Sequence, residues 1–218
     1  MQEKLIRQYQ KNVYLICHPL VQHKLTLLRD HRTNSRDFRQ LLQEISGLMF
    51  YEVGRHIPTK TVQVTTPLGR ATGKIIAGHN IALIPILRAG LAMVEGISLL
   101  VPQAKIGHIG LYRDPETLMP VEYFVKLPHL LPKRLTVLLD PMLATGHSAV
   151  AAVKILRQKN ARKIILLCLL AAPEGIREFT RFYPNIPIYV AGVDRRLNSH
   201  GYILPGLGDA GDRIFGTK

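Results

Sequence analysis

The fold class is indicated most clearly by the stretch Leu135-Thr136-Val137-Leu138-Leu139-Asp140-Pro141-Met142-Leu143-Ala144-Thr145-Gly146-His147-Ser148. Its first five residues form a short apolar run, which predicts a buried strand. The residues from Ser148 to Gln158 predict a helix. A buried strand that leads through a short loop into a helix is the repeating unit of a parallel α/β sheet.

The loop from Asp140 to Ser148 has the chemistry of a phosphate site. A helix start presents free backbone N–H groups and the positive end of the helix dipole. Thr145 and Ser148 add hydroxyl donors, and Gly146 permits close backbone approach. Asp140 would repel a phosphate, so it is better suited to ribose hydroxyls or metal-bound water. The spacing alone fits an ordinary strand-to-helix turn equally well, and the Gly-Lys-Ser/Thr ending of a P-loop is missing.

The pattern of an apolar strand followed by a helix recurs elsewhere in the chain. A helix is predicted from Leu91 to Leu100, and further apolar strands are predicted at Ile81–Leu87, Ala104–Leu111, Lys163–Leu170 and Ile186–Ala191. Polar residues follow four of the strands: Arg88, Arg113, Asp140 and Asp194. Ligands of open α/β sheets bind at the carboxyl ends of the strands, so these residues mark a candidate site.

The first part of the chain predicts two other features. Apolar residues at spacings of three and four predict a helix from Asp37 to Val53, capped by Asn34 or Ser35. The alternating, β-branched run Thr61–Thr66 and the turn at Pro67-Leu68-Gly69 predict a hairpin. No linker or repeat divides the chain. We therefore expect a single domain over 1–218, with an N-terminal helical extension over 1–55 and a β-arm over 60–76.

The composition limits the partner classes. The 218 residues carry 29 Lys and Arg against 15 Asp and Glu, a net charge of +14. Nucleic acid, an anionic membrane or a polyanionic small substrate would fit this charge. The basic residues are dispersed and aromatic residues make up only 6%, so nucleic-acid binding is not expected as the main role. No membrane span or signal peptide is predicted, and the two cysteines predict no disulfide scaffold, which leaves the cytoplasm as the default location.

The loop resembles the phosphoribosyl pyrophosphate (PRPP) loop of type I phosphoribosyltransferases. Pro141 replaces the second acidic residue of most members, and Asp-Pro-Met-Leu-Ala-Thr-Gly is the form found in uracil phosphoribosyltransferases. The resemblance runs from about residue 12 to the end and includes the regions Leu25–Glu52, Pro85–Gly90, Gly107–Thr117 and Asn198–Lys218. It implies the type I phosphoribosyltransferase fold: an α/β protein with a central, mostly parallel sheet flanked by helices, a helical N-terminal extension and a β-hairpin arm.

The resemblance also implies the reaction of uracil with PRPP to give UMP and pyrophosphate, in pyrimidine salvage. Asp140 and Arg113 would be catalytic. Mg²⁺ would arrive with PRPP, near Asp140 and Asp209, rather than in a protein cage. The implied PRPP-binding residues are Arg88, Arg113, Asp140, Pro141, Met142, Leu143, Ala144, Thr145, Gly146, His147, Ser148 and Asp209. A base-binding segment over 190–218 would read uracil through Tyr202, Ile203, Gly208, Asp209 and Ala210.

The same resemblance implies a homo-oligomer, dimer or tetramer, and a possible GTP activator. Two other functions stay open at this point. One is an RNA-binding or regulatory protein on the same fold with weak or no activity, and the other is a transferase for another base. Pro141 and the C-terminal segment argue against a purine enzyme.

The chain departs from the family pattern in two places. His147 occupies a place where the family usually has a second glycine, which would allow positive φ and close approach to phosphate. Arg195 and Arg196 precede the C-terminal segment, with Arg196 where the family usually has glycine. Our hypothesis is a working loop whose affinity for the donor is altered, and these departures bear on base preference and activity.

Overall fold

The computed structural model describes residues 6–77, 81–114 and 119–217. The strands are β1 (Ile6–Gln10), β2 (Val13–Ile16), β3 (Thr59–Thr66), β4 (Gly69–Ile76), β5 (Ile81–Leu87), β6 (Lys105–Ile106), β7 (His108–Arg113), β8 (Pro120–Lys126), β9 (Leu135–Leu139), β10 (Met142–Leu143), β11 (Lys163–Ala171), β12 (Ile188–Val193), β13 (Arg196–Leu197) and β14 (Ile203–Leu204). The α-helices are α1 (Pro19–Arg29), α2 (Ser35–Val53), α3 (Leu91–Leu100), α4 (His147–Gln158), α5 (Pro173–Phe182) and α6 (Ala210–Phe215).

One large sheet organises these elements. Its strand order is β1-β2-β12-β11-β9-β5-β7-β8, with β10 added beside β11 and β6 beside β5. The strands from β2 to β7 in this order are all parallel, and only the outer pairs, β1 with β2 and β7 with β8, are antiparallel. The prediction of an α/β fold with a mostly parallel central sheet is confirmed.

Alternation along the strands builds a core on each face of the sheet. In β5, Ile81 and Leu83 pack in the cluster with α1, α2 and α3. Ala82 and Ile84 point to the opposite cluster, which contains the apolar faces of α4 and α5. Because both faces are covered, the central strands read as continuous apolar runs, which is why the sequence predicted them well.

Most predicted elements are present with small shifts at their ends. The strands at Ile81–Leu87 and Leu135–Leu139 and the helix at Leu91–Leu100 have the predicted bounds. Asn34 caps α2, since its side chain accepts a hydrogen bond from the N–H of Asp37 at 2.9 Å. The run from Ala104 is divided at Gly107 into β6 and β7.

The N-terminal region differs from a purely helical extension. Its described part begins with β1 and β2, and β2 joins the parallel sheet beside β12. Residues 1–5 lie outside the described residues. Tyr14 of β2 stacks on Tyr189 of β12, with ring centroids 5.0 Å apart. The helices α1 and α2 follow these strands, so the extension both enlarges the sheet and covers one face of it.

The predicted hairpin arm is present as β3 and β4. Its register pairs Thr59 with Ile76 and Thr66 with Gly69. The two strands form a sheet of their own, and most of their residues are exposed. A two-stranded hairpin is marginally stable by itself in water. Separately, none of the helices in the described ranges combines the length and apolar character needed to cross a bilayer.

The packing of α2 against α3 depends on glycine. A Cβ placed on Gly96 of α3 would lie 1.8 Å from the carbonyl oxygen of Gln43 in α2, and one on Gly47 would lie 3.2 Å from the carbonyl oxygen of Gly96. The two helix backbones therefore approach more closely than any larger residue allows.

We expect Gly96→Ala to destabilise the fold by about 3 kcal/mol or more, because backbone must move to admit the methyl group. The matched control is Gly73→Ala, where a Cβ meets no atom within 4 Å. Urea unfolding of both variants checks this. Equal unfolding midpoints for the two variants would contradict the packing argument.

Candidate functional site

Three segments meet at the carboxyl edge of the sheet. They are the turn at Arg88–Gly90 after β5, the loop Asp140–Ser148 after β9, and the C-terminal segment from Asn198 to Ala210. Strands β5 and β9 are neighbours, with Pro85 beside Leu139 in the register, so the first two segments leave the sheet side by side.

The loop is tightly constructed. Met142 and Leu143 form β10, which pairs with the end of β11. Gly146 has φ +86° and immediately precedes α4. His147 is the first residue of that helix, so the left-handed backbone falls on Gly146 and not on His147. The departure from the family pattern at His147 therefore requires no strained backbone.

The backbone of helix α5 packs directly against the backbone of the loop. A Cβ on Gly175 would lie 2.4 Å from the carbonyl oxygen of Ala144, and one on Gly146 would lie 2.8 Å from that of Gly175. Side chains of α5 also face the loop: Oε1 of Glu178 lies 4.0 Å from Nε2 of His147. The Nδ1 atom of His147 is buried and has no hydrogen-bond partner among the described residues.

Sequence reasoning missed α5, although signals for it were present. Pro173 occupies the first helical position, Glu174 lies in the first turn, and the buried residues Ile176 and Phe179 follow at a helical spacing. Oε1 of Glu174 accepts a hydrogen bond from the N–H of Leu197 at 3.2 Å. Helix α5 thus connects the loop to the C-terminal segment.

Asp140 lies where β9 meets the loop. Burial raises the pKa of its carboxyl from 3.8 to about 6, and the N–H of Met142, which donates to Oδ1 at 3.2 Å, opposes that shift. The neighbouring Cys168 thiol is fully buried as expected, and burial, with a contribution from the charge of Asp140, raises its pKa. The carboxyl of Asp140 is poised to change charge near neutral pH.

The turn after β5 presents Arg88 to solvent beside the C-terminal segment. A Cβ on Gly90 would lie 2.4 Å from the carbonyl oxygen of Leu139, so glycine lets the turn lie directly against the start of the loop. The guanidinium of Arg88 lies 5.4 Å from the centroid of the Phe215 ring. A Cβ on Gly211 would lie 3.2 Å from Oδ1 of Asp209 and 4.0 Å from Nη2 of Arg88.

The C-terminal segment is an ordered turn. Strands β13 and β14 are antiparallel, and Oδ1 of Asn198 accepts from the N–H groups of His200 at 3.0 Å and Tyr202 at 2.9 Å. Asp209 caps α6 by accepting from the N–H of Asp212 at 2.9 Å. Among the described residues, the N–H groups of Gly208 and Ala210 have no hydrogen-bond partner.

A cleft of about 320 Å³ joins the loop to this segment. Met142 and Ala144 line one side, and the other is lined by His200, Gly201, Tyr202, Ile203, Gly208, Asp209 and Ala210. The structure thus places the residues expected to bind the base in one cleft with Met142 and Ala144, two of the residues expected to bind the donor. No group of three or more potential metal ligands occurs in the described parts of the chain.

Other expected residues lie elsewhere. Arg113 ends β7 at the carboxyl edge, but its side chain and residues 115–118, which include part of the quoted motif, lie outside the described residues. Arg195 and Arg196 are exposed and do not line the cleft. Arg196 pairs in register with Leu204 in a regular strand, so glycine is not required there.

Asp194 holds the C-terminal segment in place through hydrogen bonds and does not line the cleft. Its carboxylate receives two hydrogen bonds from the guanidinium of Arg29 in α1, at 2.7 and 2.6 Å, and one from the N–H of Gly206 at 2.9 Å. Arg29 also donates to the carbonyl oxygen of Gly206 at 2.8 Å. Arg213 makes similar links, donating to the carbonyl oxygens of Leu207 at 3.0 Å and Leu28 at 2.6 Å. These two arginines tie the C-terminal segment to the N-terminal helices, a role that sequence reasoning did not assign.

Comparison with known proteins agrees with this geometry. The family model described as uracil phosphoribosyltransferase matches residues 15–217. The chain belongs to the uracil phosphoribosyltransferase family. It is 59% identical to the uracil phosphoribosyltransferase of Clostridioides difficile over 201 residues, which cover 92% of this chain and 96% of that protein.

Solved structures show the same architecture. The AQ2163 protein from Aquifex aeolicus aligns with TM-score 0.90 and 36% identity, over 94% of this chain and 99% of that one. Adenine phosphoribosyl transferase from Trypanosoma brucei, solved with AMP, pyrophosphate and ribose-5-phosphate, aligns with TM-score 0.60 and 12% identity, over 86% of each chain. At 12% identity, the similarity to the Trypanosoma brucei protein shows a shared fold only.

The Arg29–Asp194 pair generates a stability prediction. The side chain of Asp194 is 8% exposed and that of Arg29 is 27% exposed. Removing one partner leaves a buried charge, so we expect Asp194→Leu to lower the free energy of unfolding by about 3 kcal/mol. The double variant Arg29→Met with Asp194→Leu removes both charges and should recover most of that loss. Urea unfolding measures the free energy of unfolding of both variants. A double variant as unstable as Asp194→Leu would contradict the argument from the unpaired charge.

Asp140 generates a pH prediction. Its folded pKa of about 6 exceeds the ordinary value of 3.8, so between these pH values the folded protein binds more protons. Its contribution to stability is therefore complete below about pH 4 and is lost as pH rises through about 6.

Asp140→Asn has no such titration. We expect the variant to be more stable than the parent above about pH 6, by on the order of 1 kcal/mol, since one pKa unit corresponds to about 1.4 kcal/mol and the side chain is only partly buried. Urea unfolding near pH 4.5 and pH 7.5 gives the two differences. A difference that does not change with pH would contradict the raised pKa.

Proposed function

We propose that this protein transfers the 5-phosphoribosyl group of PRPP to uracil, giving UMP and pyrophosphate. The observation that carries the proposal is the cleft in which the loop Asp140–Ser148 faces the C-terminal segment. Membership of the uracil phosphoribosyltransferase family supports it. The residue roles below follow from combining that membership with the geometry.

The donor lies along the carboxyl edge. Backbone N–H groups at the start of α4, with the Thr145 and Ser148 hydroxyls, bind the 5-phosphate because the helix start favours anions. Pro141, Met142 and Leu143 connect this cradle to Asp140. Arg88 and Arg113 approach the pyrophosphate, and arginine suits that role because its fork donates several charge-assisted hydrogen bonds.

Asp140 acts on the ribose. In the reaction, the bond between the anomeric carbon and the pyrophosphate oxygen breaks, and a bond from N1 of uracil to that carbon forms. Uracil loses the N1 proton to solvent water, and the electron pair of the broken carbon–oxygen bond leaves with pyrophosphate. As the positive charge develops, the Asp140 carboxylate accepts from the ribose hydroxyls and stabilises it, a form of electrostatic preorganisation.

The C-terminal segment recognises the base through its backbone. The unpartnered N–H groups of Gly208 and Ala210 supply donors for uracil carbonyls, the main chain of Ile203 supplies further contacts, and Tyr202 covers the ring. Cytosine places an amine donor where uracil has an acceptor. A site built for one polar edge rejects an analogue that leaves its groups unpaired, so cytosine should be a poor substrate.

Mg²⁺ supplies charge neutralisation for the leaving pyrophosphate when it is bound. It prefers phosphate oxygens, water and one or two carboxylates. Asp209, on the wall of the cleft, and Asp140, at the start of the loop, are the carboxylates suited to that ion's water shell.

The direct test incubates the protein with PRPP, Mg²⁺ and uracil and follows UMP formation. Parallel reactions with cytosine, hypoxanthine and orotate test base choice, and EDTA tests the metal requirement. UMP from uracil alone is expected. Absence of product with every base, from protein whose circular dichroism shows it folded, would overturn the proposal. An arm with added GTP tests the activation that the family resemblance suggests.

Assembly into a dimer or tetramer is a further part of the proposal. The α1–α2–α3 side carries a groove with exposed Leu20, Tyr51, Leu99 and Leu100, and Leu99 is 85% exposed. The β3–β4 arm pairs with no other strand of the described chain. Both features are stabilised by burial against a second copy. Light scattering after size exclusion gives the oligomeric state, and a monomer at all concentrations would contradict it.

His147 generates a prediction on donor affinity. The His147 ring lies at the start of α4 and can add a contact to the phosphate of PRPP. We expect His147→Gly to raise the KM for PRPP several-fold, because that contact is lost. Steady-state kinetics at fixed uracil measures this. Unchanged KM and turnover would contradict the role of His147.

A further inference from the structure

The edge of the sheet opposite the cleft carries a concentration of positive charge. Six exposed cations, which we call the amino-edge face, lie where the parallel strands begin: Lys105, Lys126, Lys133, Lys159, Arg162 and Lys163. They come from three segments far apart in sequence. The charge looked dispersed along the chain, and folding gathers part of it on one surface.

Strand register places these segments side by side. Lys163 of β11 pairs with Leu135 of β9, two residues after Lys133. Lys105 of β6 pairs with Ala82 of β5, and Lys126 of β8 pairs with His108 of β7. Four strand spacings of about 4.8 Å separate β11 from β8, so the face is roughly 19 Å wide.

Nothing on these segments neutralises the charge. Residues 102–108, 126–134 and 154–163 contain neither Asp nor Glu. Within the described ranges, none of the six cations forms an ion pair. This contrasts with Arg29, Lys24, Arg55 and Arg181, which are each paired with a carboxylate.

Two of the segments are braced by arginine. Arg157 donates to the carbonyl oxygens of Ala161 at 3.0 Å and Arg162 at 3.2 Å, which fixes the turn between α4 and β11. Buried Arg134 donates to the carbonyl oxygen of His129 at 3.1 Å, which fixes the turn that presents Lys133. Lys133, Lys159 and Arg162 therefore project from turns that arginine side chains brace, and the other three cations lie on strands.

We propose that the amino-edge face binds the phosphate backbone of double-stranded DNA. A duplex carries one negative charge per about 1.7 Å of axis, and its two backbones flank a major groove about 12 Å wide. A face roughly 19 Å wide with cations toward both sides can contact both backbones. The three segments contain no Phe, Tyr or Trp, so the stacking platform of a single-strand binder is missing from them.

This activity is separate from the transferase proposed above. Five residues of β9, at about 3.3 Å each, place Asp140 roughly 16 Å from the amino edge. No residue of the face lines the cleft. DNA binding and UMP formation can therefore be measured on the same variant, and either can fail without the other.

The test measures fluorescence anisotropy of a labelled DNA duplex of about 20 base pairs between about 50 and 200 mM KCl. The variant is Lys133→Gln, Lys159→Gln and Lys163→Gln together. The control removes three positive charges from exposed positions outside the amino-edge face and the β3–β4 arm: Arg32→Gln, Arg36→Gln and Arg177→Gln. Both variants have the same net charge.

We expect the face variant to weaken binding at least tenfold and to reduce the slope of log K against log salt by about 3, since each lost phosphate contact removes about 0.9. The control should change neither quantity comparably, and UMP formation should be unchanged in both. Equal weakening by the two variants would mean that net charge alone attracts DNA. Tighter binding to a single strand, to duplex RNA or to vesicles of anionic lipid than to the DNA duplex would equally overturn the proposal.

Discussion

Parallel pairing of six neighbouring strands, from β2 to β7 across the sheet, sets the positions of the loops and turns at both edges of the sheet. Strands that run in one direction place all their ends at one edge, so turns distant in sequence become neighbours there. The loop after β9 and the turn after β5 meet for this reason. The same constraint gathers the strand starts, and their basic turns, at the opposite edge.

Close backbone contact then gives the site its shape. Gly90 against Leu139, and Gly146 against Gly175, allow main chains to approach within distances that a Cβ would block. These contacts fix the loop between the sheet and α5 before any ligand arrives. A rigid cradle is useful because binding energy is then available for the transition state and need not be spent on ordering the loop.

The C-terminal segment depends on a different kind of interaction. It has little regular structure, and it is fixed by charged hydrogen bonds from Arg29 and Arg213 to Asp194 and to backbone carbonyls. The N-terminal helices therefore contribute to the site without lining the cleft. This explains why the family resemblance extends to the region Leu25–Glu52, far from the loop in sequence.

The α/β class, the central strands and the phosphate loop could be predicted from the sequence, because strands buried on both faces have continuous apolar runs and the loop chemistry is local. The identity of the substrates came from the resemblance to the family. The outer strands β1, β2 and β8 and the role of Asp194 became visible only in the structure, whereas signals for helix α5 were present in the sequence and were missed. Strand β2 joins the parallel sheet beside β12, and Asp194 pairs with Arg29, which lies 165 positions earlier. Both depend on partners that are distant in the chain. Charge that is dispersed in sequence likewise becomes a surface only when strand register brings its segments together.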